Sequence, residues 1–275
     1  MANEDLGRVG IWAPHAGVTP DSASELERLG YSTIWLGASP AAGLAVVDPL
    51  LDATERLVVG TSIVNVWTAP AKTVAESFRR LEAKYPGRFL LGIGAGHPEA
   101  TTEYRQPYQV LVDYLDELDR GGVPVHRRAL AALGPRVLEL ARTRTAGALP
   151  YLITPDYTRG ARQQLGPESL LVAEQKVVLD DDPQRAREVG RARVGFYLRL
   201  SNYVANLRRI GFDEDDLTFP GSDRLTDALA VHGDVDKVAA GLRAHLEAGA
   251  DQVAIQVLSA DDDLLPTARA LAGQV

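Results

Sequence analysis

The sequence predicts an α/β fold, a (β/α)8 TIM barrel. Three observations carry this: eight short apolar runs, a segment of helical period after each of them, and a length of 275 residues, which one such barrel fills. An open doubly wound sheet of six or seven strands is the alternative topology.

Each element has a local reason. Residues 8–12, 33–36, 58–63, 88–93, 128–132, 147–149, 170–179 and 252–257 are short apolar runs bounded by turn residues, and read as strands. Helical patterns occupy 22–29, 48–56, 71–84, 101–118, 135–143, 156–165, 183–210 and 234–248, with 262–271 closing the chain. Asp182 before Pro183 supplies an N-cap with proline at the first helical position, and Gly134 before Pro135 repeats the arrangement. Gly249 and Asp251 mark a stop ahead of the last strand. The stretch 211–231 breaks the alternation and reads as an irregular insertion between the seventh and eighth strands, packing near the barrel mouth. With no linker, low-complexity tract or stronger repeat, residues 1–275 read as a single domain.

Composition narrows the function. Hydrophobic residues at 45% and charged residues at 24% exclude a disordered, fibrous or coiled-coil chain. A net charge of −8 argues against nucleic acid or an anionic membrane as partner, so any anionic ligand must be met by a local feature. The absence of cysteine removes disulfides, thiolate metal sites and cysteine nucleophiles. The start of the chain does not read as a signal peptide and no apolar run is long enough to span a membrane, so the cytoplasm is the expected location. His15, His97, His126, His232 and His245 show no ligand spacing, and no metal is expected. The acidic triplets at 180–182 and 261–263 read as helix caps. No G-x-S-x-G elbow supports serine chemistry.

In a βα barrel chemistry sits at the C-terminal strand ends, and four of these are informative. The fourth run ends in Gly92, Gly94 and Gly96 followed by His97, Pro98 and Glu99. These glycines serve either barrel packing or the close approach of a ligand, and they do not form a dinucleotide fingerprint. The third run, GTSIVNVW over 60–67, ends in small polar residues and Trp67: a surface for a planar ring, or a plain buried strand. At Ala131-Ala132-Leu133-Gly134-Pro135-Arg136 a strand turns straight into a helix whose free N–H groups and Arg136 suit an anion, although every such turn has some of this character. After the sixth run, Thr154 caps a helix bearing Arg159 and Arg162, either a second anion site or an exposed basic face.

Together these blocks resemble the bacterial luciferase-like superfamily, and within it the actinobacterial branch that uses the deazaflavin coenzyme F420. The resemblance runs over nearly the whole chain. It is carried by GTSIVNVW, AESFRRLEAKYPGRFLLGIGAG, LAALGPRVLELA and AGALPYLITPDYTRGAR in that order. It implies a bulge with a non-prolyl cis peptide at Ser62-Ile63 backing the cofactor ring, flanked by Val64 and Asn65. It also implies Gly94, Ala95 and Gly96 as backing, His97 as a polar contact, and a phosphate held at Leu133, Gly134, Pro135 and Arg136. Leu36 and Gly37, at the end of the second run, complete the implied cofactor set. Relatives acting on sugar phosphates carry an acidic residue and a histidine after the second strand, where this chain has Leu36-Gly37-Ala38-Ser39, and a glutamate where His97 stands. Sugar-phosphate oxidation is therefore not expected.

The function implied is an F420-dependent oxidoreductase moving a hydride between C5 of the deazaflavin and a small organic substrate, with His97, Glu99 or His15 handling the proton. An FMN-dependent monooxygenase and a non-catalytic F420-binding protein are the alternatives. A homodimer is expected from the same resemblance.

Overall fold

The structure is a computed structural model that describes residues 6–97 and 106–275. Strands β1 (Val9–Pro14), β2 (Thr33–Gly37), β3 (Val58–Thr61) with its short continuation β4 (Val64–Asn65), β5 (Phe89–Gly94), β6 (Arg128–Leu130), β7 (Gly147–Ala148) and β8 (Leu170–Leu179) follow in order. After β9 (Ala230–Gly233), β10 (Gln252–Val257) pairs with both β8 and β1 and closes eight parallel staves into a barrel. The register runs through Ile255, Ile11 and Ile34 across the closing seam.

Alternation along the strands separates two cores. Ile11, Ile34, Val59, Leu91, Ile93 and Leu130 face outward and pack beneath the helices. Trp12, Trp35, Val58, Leu90, Ala129, Leu149 and Val172 fill the barrel interior. The interior is large on one side and small on the other: a Cβ on Gly60 would lie 2.4 Å from the Trp35 ring. Gln252 is wholly buried near the closing seam, accepting from the Trp35 indole at 2.6 Å and donating to Thr33 at 3.2 Å.

The helices are α1 (Pro20–Arg28), α2 (Val47–Asp52), α3 (Ala71–Lys84), α4 (Pro107–Arg120), α5 (Pro135–Arg144) and α6 (Pro155–Leu165) in the first part of the chain. They continue with α7 (Pro183–Tyr197), α8 (Ser201–Arg209), α9 (Glu214–Leu217), α10 (Asp223–Leu229), α11 (Val235–Glu247) and α12 (Leu265–Leu271). Their starts follow the capping chemistry of the sequence: Thr19 and Ser22 form a capping box on α1, and Asp182 accepts the Gln184 and Arg185 N–H groups of α7. None of the described helices is long and apolar enough to cross a membrane.

Two expectations need correction. The helix expected over 183–210 is two helices, because Leu198, Arg199 and Leu200 donate to the carbonyls of Gly195, Phe196 and Tyr197 in tight turns that end α7. Leu200 and Tyr203 then bury against Val194 and Leu207, which redirects the chain. The insertion at 211–231 is not irregular: it holds α9 and α10 and leads into β9, which runs parallel to β8 with Val231 opposite Val177. Smaller differences are an early end of α2 at Asp52 and a late start of α12 at Leu265.

Candidate active site

The mouth of the barrel, at the C-terminal strand ends, has two unlike walls. The first spans β3 to β6. The Ser62–Ile63 peptide is cis, at the place the resemblance implied. The Ile63 side chain lies across the end of β5, where a Cβ on Gly94 would come within 2.9 Å of it and within 3.1 Å of the Ala131 Cβ. Gly92 is a packing glycine, since its Cβ would stand 1.8 Å from the Thr61 carbonyl oxygen. Gly96, with φ +60°, turns the chain past the Asn65 amide. Asn65 Oδ1 accepts the Trp67 N–H at 3.0 Å, and the Trp67 indole donates to the Ala95 carbonyl, so this rim is tied together. Ser62, Ile63, Asn65, Ala95, Gly96, Ala131, Leu133 and Gly134 are all half-buried, and they form one shelf.

At the far end of the shelf Gly134 caps α5 without a side-chain hydrogen bond. Val137 and Leu138 both donate to the Gly134 carbonyl, which leaves the Arg136 N–H as the first donor with no helical acceptor. The Leu133 carbonyl is taken by the Tyr157 hydroxyl at 2.9 Å and Arg209 Nη1 at 3.1 Å. The Arg136 guanidinium sits 4.5 Å over the Tyr108 ring. The turn therefore presents one such N–H donor and two guanidinium groups, whereas the N–H groups of Val137 and Leu138, also expected to be free, are taken by the Gly134 carbonyl.

The second wall, on β7 and β8, was not anticipated. Glu174 and Lys176 point into the barrel, 4% and 0% exposed, with Lys176 Nζ 2.9 and 3.0 Å from the two carboxylate oxygens. Burial pushes the Lys176 ammonium below its ordinary range, and Glu174 opposes that push. Nζ also lies 3.9 Å over the Tyr151 ring and 5.3 Å from that of Tyr197. Tyr151 donates to Gln256 Oε1 at 2.7 Å and shares a 2.6 Å bond with the Tyr197 hydroxyl. Tyr203 packs edgewise on Tyr197 at 5.1 Å and tilted on His97 at 5.1 Å, and Trp12 closes the group against Tyr151 at 5.3 Å. Burial raises all three phenols, Tyr197 to about 12, so they stand neutral at physiological pH.

His97 joins the walls. It is half-buried at the end of β5, its Nδ1 is 3.0 Å from Asn202 Oδ1 on α8, and its ring rests on Tyr203. His15 lies in a short 3-10 turn (His15–Gly17) after β1, half-buried. Glu99 and Pro98 lie outside the described residues.

Three positions of the implied cofactor set face elsewhere. Leu36 is buried between sheet and helices because it alternates with the inward Trp35, and Val64 is buried in the same outer layer. Gly37 is covered by the Trp12 ring, 2.1 Å from where its Cβ would be. Ala38 and Ser39, just beyond, are exposed with φ of 59° and 50°, and Leu152 after β7 has φ 59°. Such left-handed L-residues concentrate where function demands an unusual backbone. The second anion reading also fails: Arg162 is spent on the Gly249, Gly166 and Ser169 carbonyls and on Asp251, and Arg159 pairs with Asp156.

The opposite, N-terminal face holds a cavity of about 540 Å³ between Glu27, Tyr31, Arg56 and Arg88. Two of its charged side chains are already engaged: Glu27 accepts the N–H groups of Glu55, Arg56 and Leu57, and Arg88 donates to Leu57, Leu51 and Thr54. That face reads as stability, not chemistry. Among the described residues no group of three or more His, Asp or Glu could hold a metal ion.

Comparison with known proteins agrees with this fold. The family of luciferase-like monooxygenases matches residues 10–122. No curated protein matches the sequence. Among solved structures, an F420-dependent secondary alcohol dehydrogenase in complex with an F420–acetone adduct superposes with a TM-score of 0.77 at 14% identity, covering 98% of each chain. The coenzyme F420-dependent tetrahydromethanopterin reductase of Methanopyrus kandleri gives 0.75 at 17%, again over 98% of each chain. The oxygenating constituent of 3,6-diketocamphane monooxygenase from Pseudomonas putida, in complex with FMN, gives 0.71 at 14%, covering 98% of this chain and 97% of that one. The luciferase-like resemblance is borne out over residues 10–122, and so is the (β/α)8 barrel.

Proposed function

We propose that the protein is an F420-dependent oxidoreductase acting on a small organic substrate. The observation that carries this is the continuous shelf across the ends of β3 to β6, half-buried and made mostly of small residues, with the Arg136 N–H left without a helical acceptor beside the Gly134–Pro135 turn. The donor set fits a flat ring with a polar, phosphate-bearing chain: Ile63, Gly94 and Ala131 offer an apolar floor, and Arg136 and Arg209 offer cationic charge where the chain would end. The filled barrel axis, occupied by Trp12 and Tyr151, restricts such a ring to this rim. Bound there, the deazaflavin supplies hydride chemistry at its C5.

The protein's own residues do the rest. Tyr151, Tyr197 and Tyr203 keep water from the substrate side and present neutral hydroxyls. Because Asn202 Oδ1 accepts, the Nδ1 of His97 carries hydrogen and Nε2 is left to take up or release the proton that accompanies oxidation or reduction.

Titration of the purified protein with F420 and with FMN, followed by absorbance, tests the reading. Binding of F420 together with its reduction or oxidation by some member of a broad panel of alcohols, ketones and enones is expected. Tight FMN binding without F420 binding would make it a flavin monooxygenase. F420 binding with no turnover across the panel would make it a carrier. His97→Gln is expected to lower turnover by about a hundredfold or more with little change in cofactor affinity.

A further inference from the structure

Asn206 has no exposed surface, yet neither its amide nitrogen nor its amide oxygen has a hydrogen-bond partner among the described residues. Buried amides are almost always paired, so one left wholly unpaired asks for a missing partner. Its position says where that partner would be. Asn202, Asn206 and Arg209 stand at i, i+4 and i+7 on α8 and so share one helix face. One end of that face reaches His97 at the end of β5, where Asn202 bonds its ring at 3.0 Å. The other end reaches the end of β6, where Arg209 donates to the Leu133 carbonyl and stands 3.7 Å from where a Gly134 Cβ would be. Asn206 lies between them, over the interval from the glycine-rich strand end to the uncapped start of α5.

The chemistry of that strip is graded. At the Gly134–Pro135 end it offers donors only: the Arg136 N–H and the Arg209 guanidinium, the nearby Leu133 carbonyl being taken. In the middle it offers an amide that can both donate and accept. A chain of hydroxyl groups ending in a phosphate has the matching order, each hydroxyl giving and taking one hydrogen bond and the phosphate only accepting. We propose that α8 is a clamp over the side chain of a flavin-type cofactor, with Asn206 paired to a chain hydroxyl and Arg209 to the phosphate. This rests on the function proposed above and adds the residues that recognise the chain. FMN and F420 share that chain, so the clamp does not depend on which ring is bound.

Affinity for FMN, for riboflavin, which keeps the hydroxyls but lacks the phosphate, and for F420 is measured by equilibrium dialysis for the wild type, Asn206→Leu and Arg209→Ala. Melting of each ligand-free protein is recorded alongside. Asn206→Leu is expected to melt about 2 °C or more above the wild type, since an apolar group of similar size replaces an unpaired amide. It is expected to bind every chain-bearing ligand about tenfold more weakly. Arg209→Ala, an exposed position, is expected to leave melting nearly unchanged and to weaken only the phosphorylated ligands, abolishing the preference of FMN over riboflavin. Asn206→Leu that melts lower and binds as tightly as the wild type overturns the clamp alone. Wild-type protein that binds none of the three overturns the proposed function and the clamp with it.

Discussion

The two walls of the barrel mouth are built on opposite principles. On β3 to β6 the side chains are mostly small, the backbone is close to the surface, and the Arg136 N–H has no helical acceptor; on β7 and β8 the side chains are large, and Tyr151, Tyr197, Gln256, Glu174 and Lys176 bond to one another in pairs. Glu174 shows the difference: its carboxylate holds Lys176 and also accepts the N–H of Leu152 at 3.1 Å, fixing the left-handed turn after β7. Gly134, by contrast, leaves its helix uncapped. A wall that must receive a ligand keeps its hydrogen-bonding capacity open, whereas a wall that must hold a shape uses its capacity up.

The sharpest way to break this contrast is at the buried pair. Lys176→Met strands the Glu174 carboxylate and is expected to cost about 3–5 kcal/mol of stability, read by urea unfolding. Adding Glu174→Gln should restore most of it. If the single variant stayed stable but lost the cofactor, the division of labour would be wrong.

Next in size is the support behind β8. His245 is buried between Thr158 and Gln175, and burial lowers its pKa to about 4. The unfolded chain binds a proton near pH 6.5 that the folded one refuses, so stability is intact above that value and falls as pH drops towards 4. The loss assignable to this group is about 3 kcal/mol. Unfolding at pH 7 and pH 4.5 compared with His245→Gln measures it: a variant with the same pH slope as the wild type would exonerate the histidine.

The shelf should answer differently. Gly94→Ala forces Ile63 aside and is expected to weaken cofactor binding by about tenfold while most of the stability survives, as calorimetry with either cofactor would register. Smallest is Tyr197→Phe, which removes the 2.6 Å bond to Tyr151 at a cost of about 1 kcal/mol and should change turnover or substrate preference, not cofactor affinity. Equal affinity losses in Gly94→Ala and Tyr197→Phe would erase the distinction between the walls.

Legibility in the sequence follows the same division. The eight staves could be read because each is a local apolar run, and the shelf because glycine, proline and a strand-to-helix turn are local signals. The tyrosine wall could not: Tyr151, Glu174, Lys176, Tyr197, Tyr203 and Gln256 meet only when β7, β8, α7, α8 and β10 converge. The break between α7 and α8 was hidden for a related reason, since no Gly or Pro stands at 198–200 and tertiary burial of Leu200 makes the bend. Leu36 was misplaced because a run of five buried residues in β2 does not reveal which of them face the axis. Asn206 carried one faint sign, its place between Asn202 and Arg209 at i, i+4 and i+7, but its burial without a partner is set only by the folded chain.

The seam where β10 meets β1 bears on synthesis. Val9 pairs with Val253, so the first staves emerge from the ribosome with one edge of β1 unmatched until β10 has been made. Closure is a contact of very long sequence separation, which makes it slow and leaves an adhesive strand edge on the nascent chain meanwhile. Chaperone dependence in the cell, and poor yield for versions truncated before residue 252, are the expected signature.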